Sequence, residues 1–268
     1  MSAGAVPPIE PPDDAVERIV KSVERVREIG EVFTPGTTVN EMLDLLPRSM
    51  WVVHPAPTFL EPSCGDGNFL IAILERKLQA IVEALKKSKL PAGEDDSAAS
   101  FHALEALASI YAVDISSDNI IGGTIGHEIG ARTRLIRGFV GWHQSALNIR
   151  LTPNSLLLRS AEWIVEHNLI VGNMLLVDAE GNTTSRNQIP FIEYEFIPAS
   201  KTVRLRTTTL GDVIATAELE YATELSLFGP ADPVLLWEGK ALRISSAGRI
   251  EAPVLRGPAR NQTTSRRR

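Results

Sequence analysis

The segment from Thr58 to Leu70, TFLEPSCGDGNFL, sets a carboxylate, Glu61, at the end of an apolar run and follows it with a Gly-x-Gly turn at Gly65 and Gly67. Glycine tolerates positive φ and carries no side chain, so a ligand can lie directly against such a turn, where the N–H groups opening the next helix face it. That is the chemistry of a nucleotide-type cofactor pocket. A phosphate cradle of the Walker type ends in Gly-Lys-Ser/Thr, whereas this loop holds two acids, Glu61 and Asp66, and no cation. An acidic loop favours a cofactor with a positive end, and S-adenosylmethionine is the common one. Glu61 is placed to hold a cationic or hydroxyl group of that ligand. The alternative for the same residues is a tight strand-to-helix turn with no ligand.

Such a loop needs a sheet behind it. Val16, Ile19, Val20, Val23 and Val26 share one face of a helix over 14–29 that ends at Gly30. The turn Thr34-Pro35-Gly36 precedes a second helix with Val39, Met42, Leu43 and Leu46 on one side, stopped by Pro47. A strand is expected at 58–61, then a helix over 68–87, then a charged linker, KLPAGEDDSAAS. A helix over 101–108 leads into the apolar strand SIYAVDIS, which ends in an acid, Asp114. Residues 118–149 read as helix weakened by Gly122, Gly123, Gly126 and Gly130, and the next strand is expected over 168–176. Strands alternating with helices imply a parallel sheet with right-handed crossovers.

Beyond Asp178 the stretches at 191–197, 202–209, 213–221 and 233–239 are strand-like and separated by turn residues, so this part should be antiparallel. The expected organisation is a disordered leader (1–13), a cofactor-binding α/β domain (14–177), a strand-rich C-terminal part (178–255) and a basic disordered tail (256–268). In a doubly wound sheet the acid after the second strand holds the cofactor ribose. Asp114 has that place, although it lies 53 positions beyond Glu61, against the ~20 of a nicotinamide-binding unit; the charged linker accounts for the excess. Its alternative role is to cap the following helix. With the ribose role, Asp114→Ala weakens cofactor binding without unfolding the protein.

Composition narrows the classes further. With 268 residues, 44% of them hydrophobic, the chain can bury one full α/β core. A single cysteine, Cys64, excludes an intramolecular disulfide and a four-cysteine zinc site, and fits a reducing cytoplasm. No apolar run approaches the roughly 18 to 20 residues of a membrane span, and the N-terminus is unlike a secretory signal, so a soluble, cytoplasmic protein is expected. The net charge of −6 argues against nucleic-acid binding through a broad basic face, while the arginines of the tail RGPARNQTTSRRR allow local contact. The histidines at 54, 102, 127, 143 and 167 show no metal-ligand spacing, so no metal is expected. Cys64 reads as a buried small hydrophobe whose thiol the flanking acids push up. Trp142, Trp163 and Trp237 read as packing residues, with a stacking ring for an extruded base as the alternative.

Four segments together resemble the N6-adenine DNA methyltransferases, in the arrangement with cofactor motifs first and target recognition last. GEVFTP (30–35) resembles the family's N-terminal motif, FLEPSCGDGNFL (59–70) its glycine motif, SIYAVDIS (109–116) its ribose motif and NLIVGNML (168–175) the motif after the third strand. The resemblance implies a Rossmann-like S-adenosylmethionine-dependent methyltransferase fold. It also implies a cofactor-contacting set of Phe33, Thr34, Pro35, Glu61, Pro62, Cys64, Gly65, Gly67, Asn68, Phe69, Asp114, Ile115 and Asn173. Phe33 to Pro35 would lie beside the methionine part of the cofactor; by their residue types alone they can equally cap the helix that follows.

Two departures matter. The family's third strand usually ends in Gly-Asp, whose carboxylate bonds the cofactor's adenine amino group; here Gly172 is followed by Asn173, whose amide oxygen can still accept that bond. The catalytic tetrad, Asp, Asn or Ser followed by Pro-Pro and an aromatic residue, is absent from the whole chain. The resemblance therefore implies methyl transfer to adenine in DNA, with no catalytic residue assignable. The alternatives are a catalytically deficient cofactor- or DNA-binding subunit of a modification or restriction system, completed by a partner chain, and a methyltransferase acting on RNA, protein or a small molecule.

Overall fold

A computed structural model of the chain describes residues 25–27, 32–90, 95–123, 129–175, 182–215, 242–244 and 250–251. Its elements are α1 (Gly36–Asp44), β1 (Phe59–Glu61), α2 (Asn68–Lys86), α3 (Asp96–Ala108), β2 (Ile110–Asp114), α4 (Ser117–Ile120), α5 (Ala131–Leu147), α6 (Leu156–Asn168), β3 (Leu169–Val171), β4 (Pro190–Ile197), β5 (Thr202–Thr209), β6 (Leu242–Ile244) and β7 (Ile250–Glu251). The fold is mixed α/β. Strands β1, β2 and β3 form a parallel sheet in that order, and β4 to β7 form an antiparallel sheet.

The strand order has a consequence for packing. Right-handed crossovers that step in one direction across a sheet lay their helices on one face. Here β1 to β2 to β3 steps in one direction, and Ile110, Ala112 and Leu169 are buried among Leu74 and Leu78 of α2, Phe101 and Leu104 of α3, Phe139 of α5 and Ile164 of α6. Each of the leucine, isoleucine and phenylalanine side chains contributes roughly 1.5 to 3 kcal/mol on burial. Val113 on the other face is covered differently, by Ile189, Phe191 and Leu210, with Tyr111 and Ile170 alongside.

That second cover comes from the β4–β5 hairpin. Period-two alternation puts Ile192, Tyr194, Phe196, Val203 and Leu205 into the main core, while Arg204 and Arg206 pair with Glu195 and Glu193 across the strands. Asn168 pins the hairpin to the sheet. Its amide donates to the Ala108 and Ile110 carbonyls at 2.9 and 3.1 Å, and its oxygen accepts from the Tyr194 hydroxyl at 2.9 Å. The Tyr111 hydroxyl donates to the Ile192 carbonyl at 2.6 Å, and Phe101 meets Phe196 edge-on at 5.2 Å.

Several boundaries differ from the sequence reading, each for a local reason. Asp95 accepts the Ala98 N–H at 2.8 Å and starts α3 five residues early, inside the expected linker. Ser155 caps α6 through Leu158, a helix that the sequence reading did not anticipate. The third strand is shorter than expected, Leu169–Val171, because α6 runs up to Asn168. Residues 118–149 divide into α4 and α5, with Gly122 at φ 107° in the break. The expected strand at 213–221 begins in residues that are helical, 210–215. Of the expected helix over 14–29, residues 25–27 are helical; the leader, the strand at 233–239 with Trp237, and the basic tail lie outside the described residues. Among the described residues no helix is long and apolar enough to cross a membrane.

Candidate functional site

Glu61, Asp114 and the segment Gly172-Asn173 end three adjacent parallel strands, so the fold brings the candidate residues to the carboxyl edge of one sheet. The Gly172 N–H donates to the Asp114 carbonyl and the Cys64 N–H to the Val113 carbonyl, at 2.9 and 3.2 Å. Gly65 and Gly67 adopt φ of 53° and 96°, the left-handed region that glycine enters without steric cost.

What lies against those glycines is protein. A Cβ on Gly65 would stand 2.9 Å from the Phe33 ring, and one on Gly67 would stand 2.9 Å from the Ala131 Cβ at the start of α5. The fold therefore needs both glycines for packing before any ligand is considered. This differs from the reading in which the turn stays bare. Phe33 is buried, the Thr34 carbonyl accepts from the Asn68 amide at 2.9 Å, and Pro35 precedes α1 without a side-chain cap. The Phe-Thr-Pro segment thus packs on the glycine loop from about thirty residues upstream.

Asp114 is also engaged. Its Oδ2 accepts the Gly65 N–H at 2.8 Å, and its Oδ1 accepts the Ser116 N–H at 2.9 Å and the Asn119 amide at 3.1 Å. The side chain is buried, so it ties the glycine loop to the end of β2 and to α4. The expectation that Asp114→Ala spares the fold is thereby revised, because three donors, the buried Asn119 amide among them, would lose their acceptor. The sequence reading also missed Arg134 of α5. Its guanidinium pairs with the Asp66 carboxylate at 3.0 Å and donates to the Asp66 carbonyl and the Asn68 side-chain oxygen, at 2.8 and 2.9 Å. One of the loop's two acids is thus neutralised from a distant helix.

Glu61 is the other acid. Burial pushes its carboxyl above the ordinary 4.5, and the nearby Asp114 charge adds to this; the Ser63 N–H, 3.4 Å from Oε1, acts in the opposite direction. Among the described residues no lysine or arginine pairs with it. At the same carboxyl edge of the sheet, just past the end of β2, Ile115 is 62% exposed. The site therefore joins an unneutralised, half-buried carboxylate to an uncovered apolar side chain, a combination suited to a ligand with a positive or hydroxyl-rich part and a flat apolar part.

The remaining candidates hold structural positions. Cys64 is buried, and burial together with the Asp114, Glu61 and Asp66 charges pushes its thiol up, as the flanking acids predict. Pro62 is exposed, and Phe69 packs half-buried against the core. The Asn173 oxygen accepts the Leu175 N–H at 2.9 Å, a local Asx turn. Trp142 is buried and Trp163 packs against Tyr194. Of the histidines, the fold draws His54 and His102 together on Glu105, a grouping that linear spacing did not reveal.

No protein-family model, curated protein or solved structure matches the chain, which leaves its own residues as the ground for a functional reading.

Proposed function

We propose that the carboxyl edge of the parallel sheet binds S-adenosylmethionine, and that the chain is an S-adenosylmethionine-dependent methyltransferase-like protein of the DNA adenine-N6 class with a Rossmann-like cofactor domain. The observation that carries this reading is Glu61, a carboxylate raised by burial and without a cationic partner among the described residues, beside the positive-φ turn at Gly65 and Gly67. A carboxylate so placed gains from a cation or from hydroxyl donors, as charge-assisted hydrogen bonds supply.

In this reading Glu61 holds the ribose hydroxyls or the charged end of the cofactor, and Ile115 covers one face of its adenine. Asp114 positions the loop by holding the Gly65 N–H, and Arg134 keeps Asp66 from adding a second uncompensated charge. The Phe33 ring fixes the turn from above. The cofactor supplies the methyl group; the chain's work is to orient donor and acceptor in a pocket from which water is excluded.

A second reading is favoured by two specific observations. The sequence lacks the acceptor-Pro-Pro-aromatic tetrad, and among the described residues the parallel sheet extends from β1 in one direction only, with Leu60 of β1 44% exposed. Both favour a cofactor- or DNA-binding subunit whose catalytic part comes from a partner chain. Incubating the full chain with methyl-labelled S-adenosylmethionine and adenine-containing DNA separates the two. Label on DNA supports the enzyme, saturable cofactor binding without transfer supports the subunit, and the absence of both overturns the cofactor assignment.

A further inference from the structure

We propose that His54, His102 and Glu105 form a binding site for a divalent transition metal, zinc by its donor chemistry, at the opposite end of the sheet from the glycine loop. The three donor atoms lie within 4.8 Å of one another. His54 Nδ1 is 2.8 Å from Glu105 Oε1, and His102 Nδ1 is 2.9 Å from Oε2. Two imidazoles and one carboxylate are a donor set that zinc accepts while keeping a further position open, with bonds of about 2.0 to 2.2 Å.

The surroundings favour a built site over a chance meeting of side chains. His102 and Glu105 stand one turn apart on α3 and share its face, both buried. The Ala56 N–H donates to Glu105 Oε1 at 3.1 Å and fixes the carboxylate's orientation. His54 arrives from the loop before β1 and is partly exposed. His54 and Glu105 also border a cavity of about 380 Å³ that reaches Thr58, Ser109, Tyr111 and Tyr194, which offers an entry path and room for water to complete the coordination. With both rings neutral, the cluster carries a net charge of about −1 and suits a dication. Binding requires each ring to carry its proton on Nε2, so that Nδ1 becomes the ligand.

The test uses the full chain, stripped with a chelator and dialysed against zinc chloride, with bound zinc counted by mass spectrometry. One zinc per chain is expected. Cobalt(II) in its place should give a visible ligand-field band. His54→Ala alters a partly exposed loop residue, and Glu105→Gln preserves the shape of the buried side chain. Each should weaken zinc binding beyond the roughly 10- to 100-fold that loss of an outer hydrogen-bond partner costs, with folding checked by circular dichroism. Failure of the parent chain to retain zinc would overturn the proposal whatever the variants do. So would uptake that His54→Ala and Glu105→Gln leave unchanged. In either case the cluster is a hydrogen-bonded clamp between α3 and the loop before β1.

Discussion

The two ends of the parallel sheet hold carboxylates in opposite circumstances. At the carboxyl edge, Glu61 is raised by burial and faces no cation among the described residues. At the amino edge, Glu105 lies within hydrogen-bond distance of two imidazole Nδ1 atoms and accepts a backbone N–H, with the Lys77 ammonium close enough to feel its charge. One acid has its partners supplied by the fold, and the other does not. The difference separates a carboxylate held in a fixed cluster of imidazoles, the arrangement on which the proposed metal site rests, from one that no cation of the described residues neutralises.

The largest expected effect is at the glycine turn. Gly65→Val drives a branched side chain into the Phe33 ring at a φ of 53°. Saturable cofactor binding should disappear, and stability should fall by about 3 kcal/mol, read by calorimetric titration and thermal unfolding. Asp114→Ala comes next. Three donors, one of them buried, lose their acceptor, so a loss of about 2 to 4 kcal/mol is expected, with Asp114→Asn milder because an amide oxygen remains. Unchanged melting of Asp114→Ala would return that residue to a pure ligand role.

The third expectation concerns pH. A carboxyl raised in the folded state binds more protons folded than unfolded, so the Glu61 contribution to stability falls as pH rises above 4.5 through its raised value. Glu61→Gln should remove that slope while melting no lower than the parent at neutral pH. Lys77 is the counterpart at the other end. Burial lowers its ammonium to about 8 from 10.5, so the unfolded chain binds the extra proton and stability rises with pH across that window, by up to about 3 kcal/mol. Lys77→Met should flatten this rise, as pH-dependent denaturation would show. The smallest effect is expected for Arg134→Met, about 1 kcal/mol of stability, with a modest loss of cofactor affinity as Asp66 becomes unpaired.

The same contrast explains what the sequence made legible. The glycine loop, its strand and its helix are contiguous, so positive φ at Gly65 and Gly67 and the start of α2 at Asn68 were readable from residue types. The alternation in FIEYEFI and TVRLRTTT likewise announced the antiparallel hairpin. What could not be read was assembled from a distance. Arg134 reaches Asp66 from α5, Asn119 reaches Asp114 from α4, and His54 meets His102 across a loop and a helix. The spacing of His102 and Glu105 would have marked a shared helical face, had α3 been extended back to its Asp95 cap. The helix Leu156–Asn168 was legible in principle, through Ser155 and the apolar spacing of Leu157, Leu158, Ala161, Ile164 and Val165.

The most direct test is calorimetric titration of S-adenosylmethionine and its demethylated product into the parent chain and into Glu61→Gln at neutral pH. Saturable, near-stoichiometric binding to the parent is expected, with at least roughly tenfold weaker binding to the variant, a difference of about 1.4 kcal/mol. Absence of saturable binding to the parent, or equal affinity in the two proteins, would contradict the cofactor assignment.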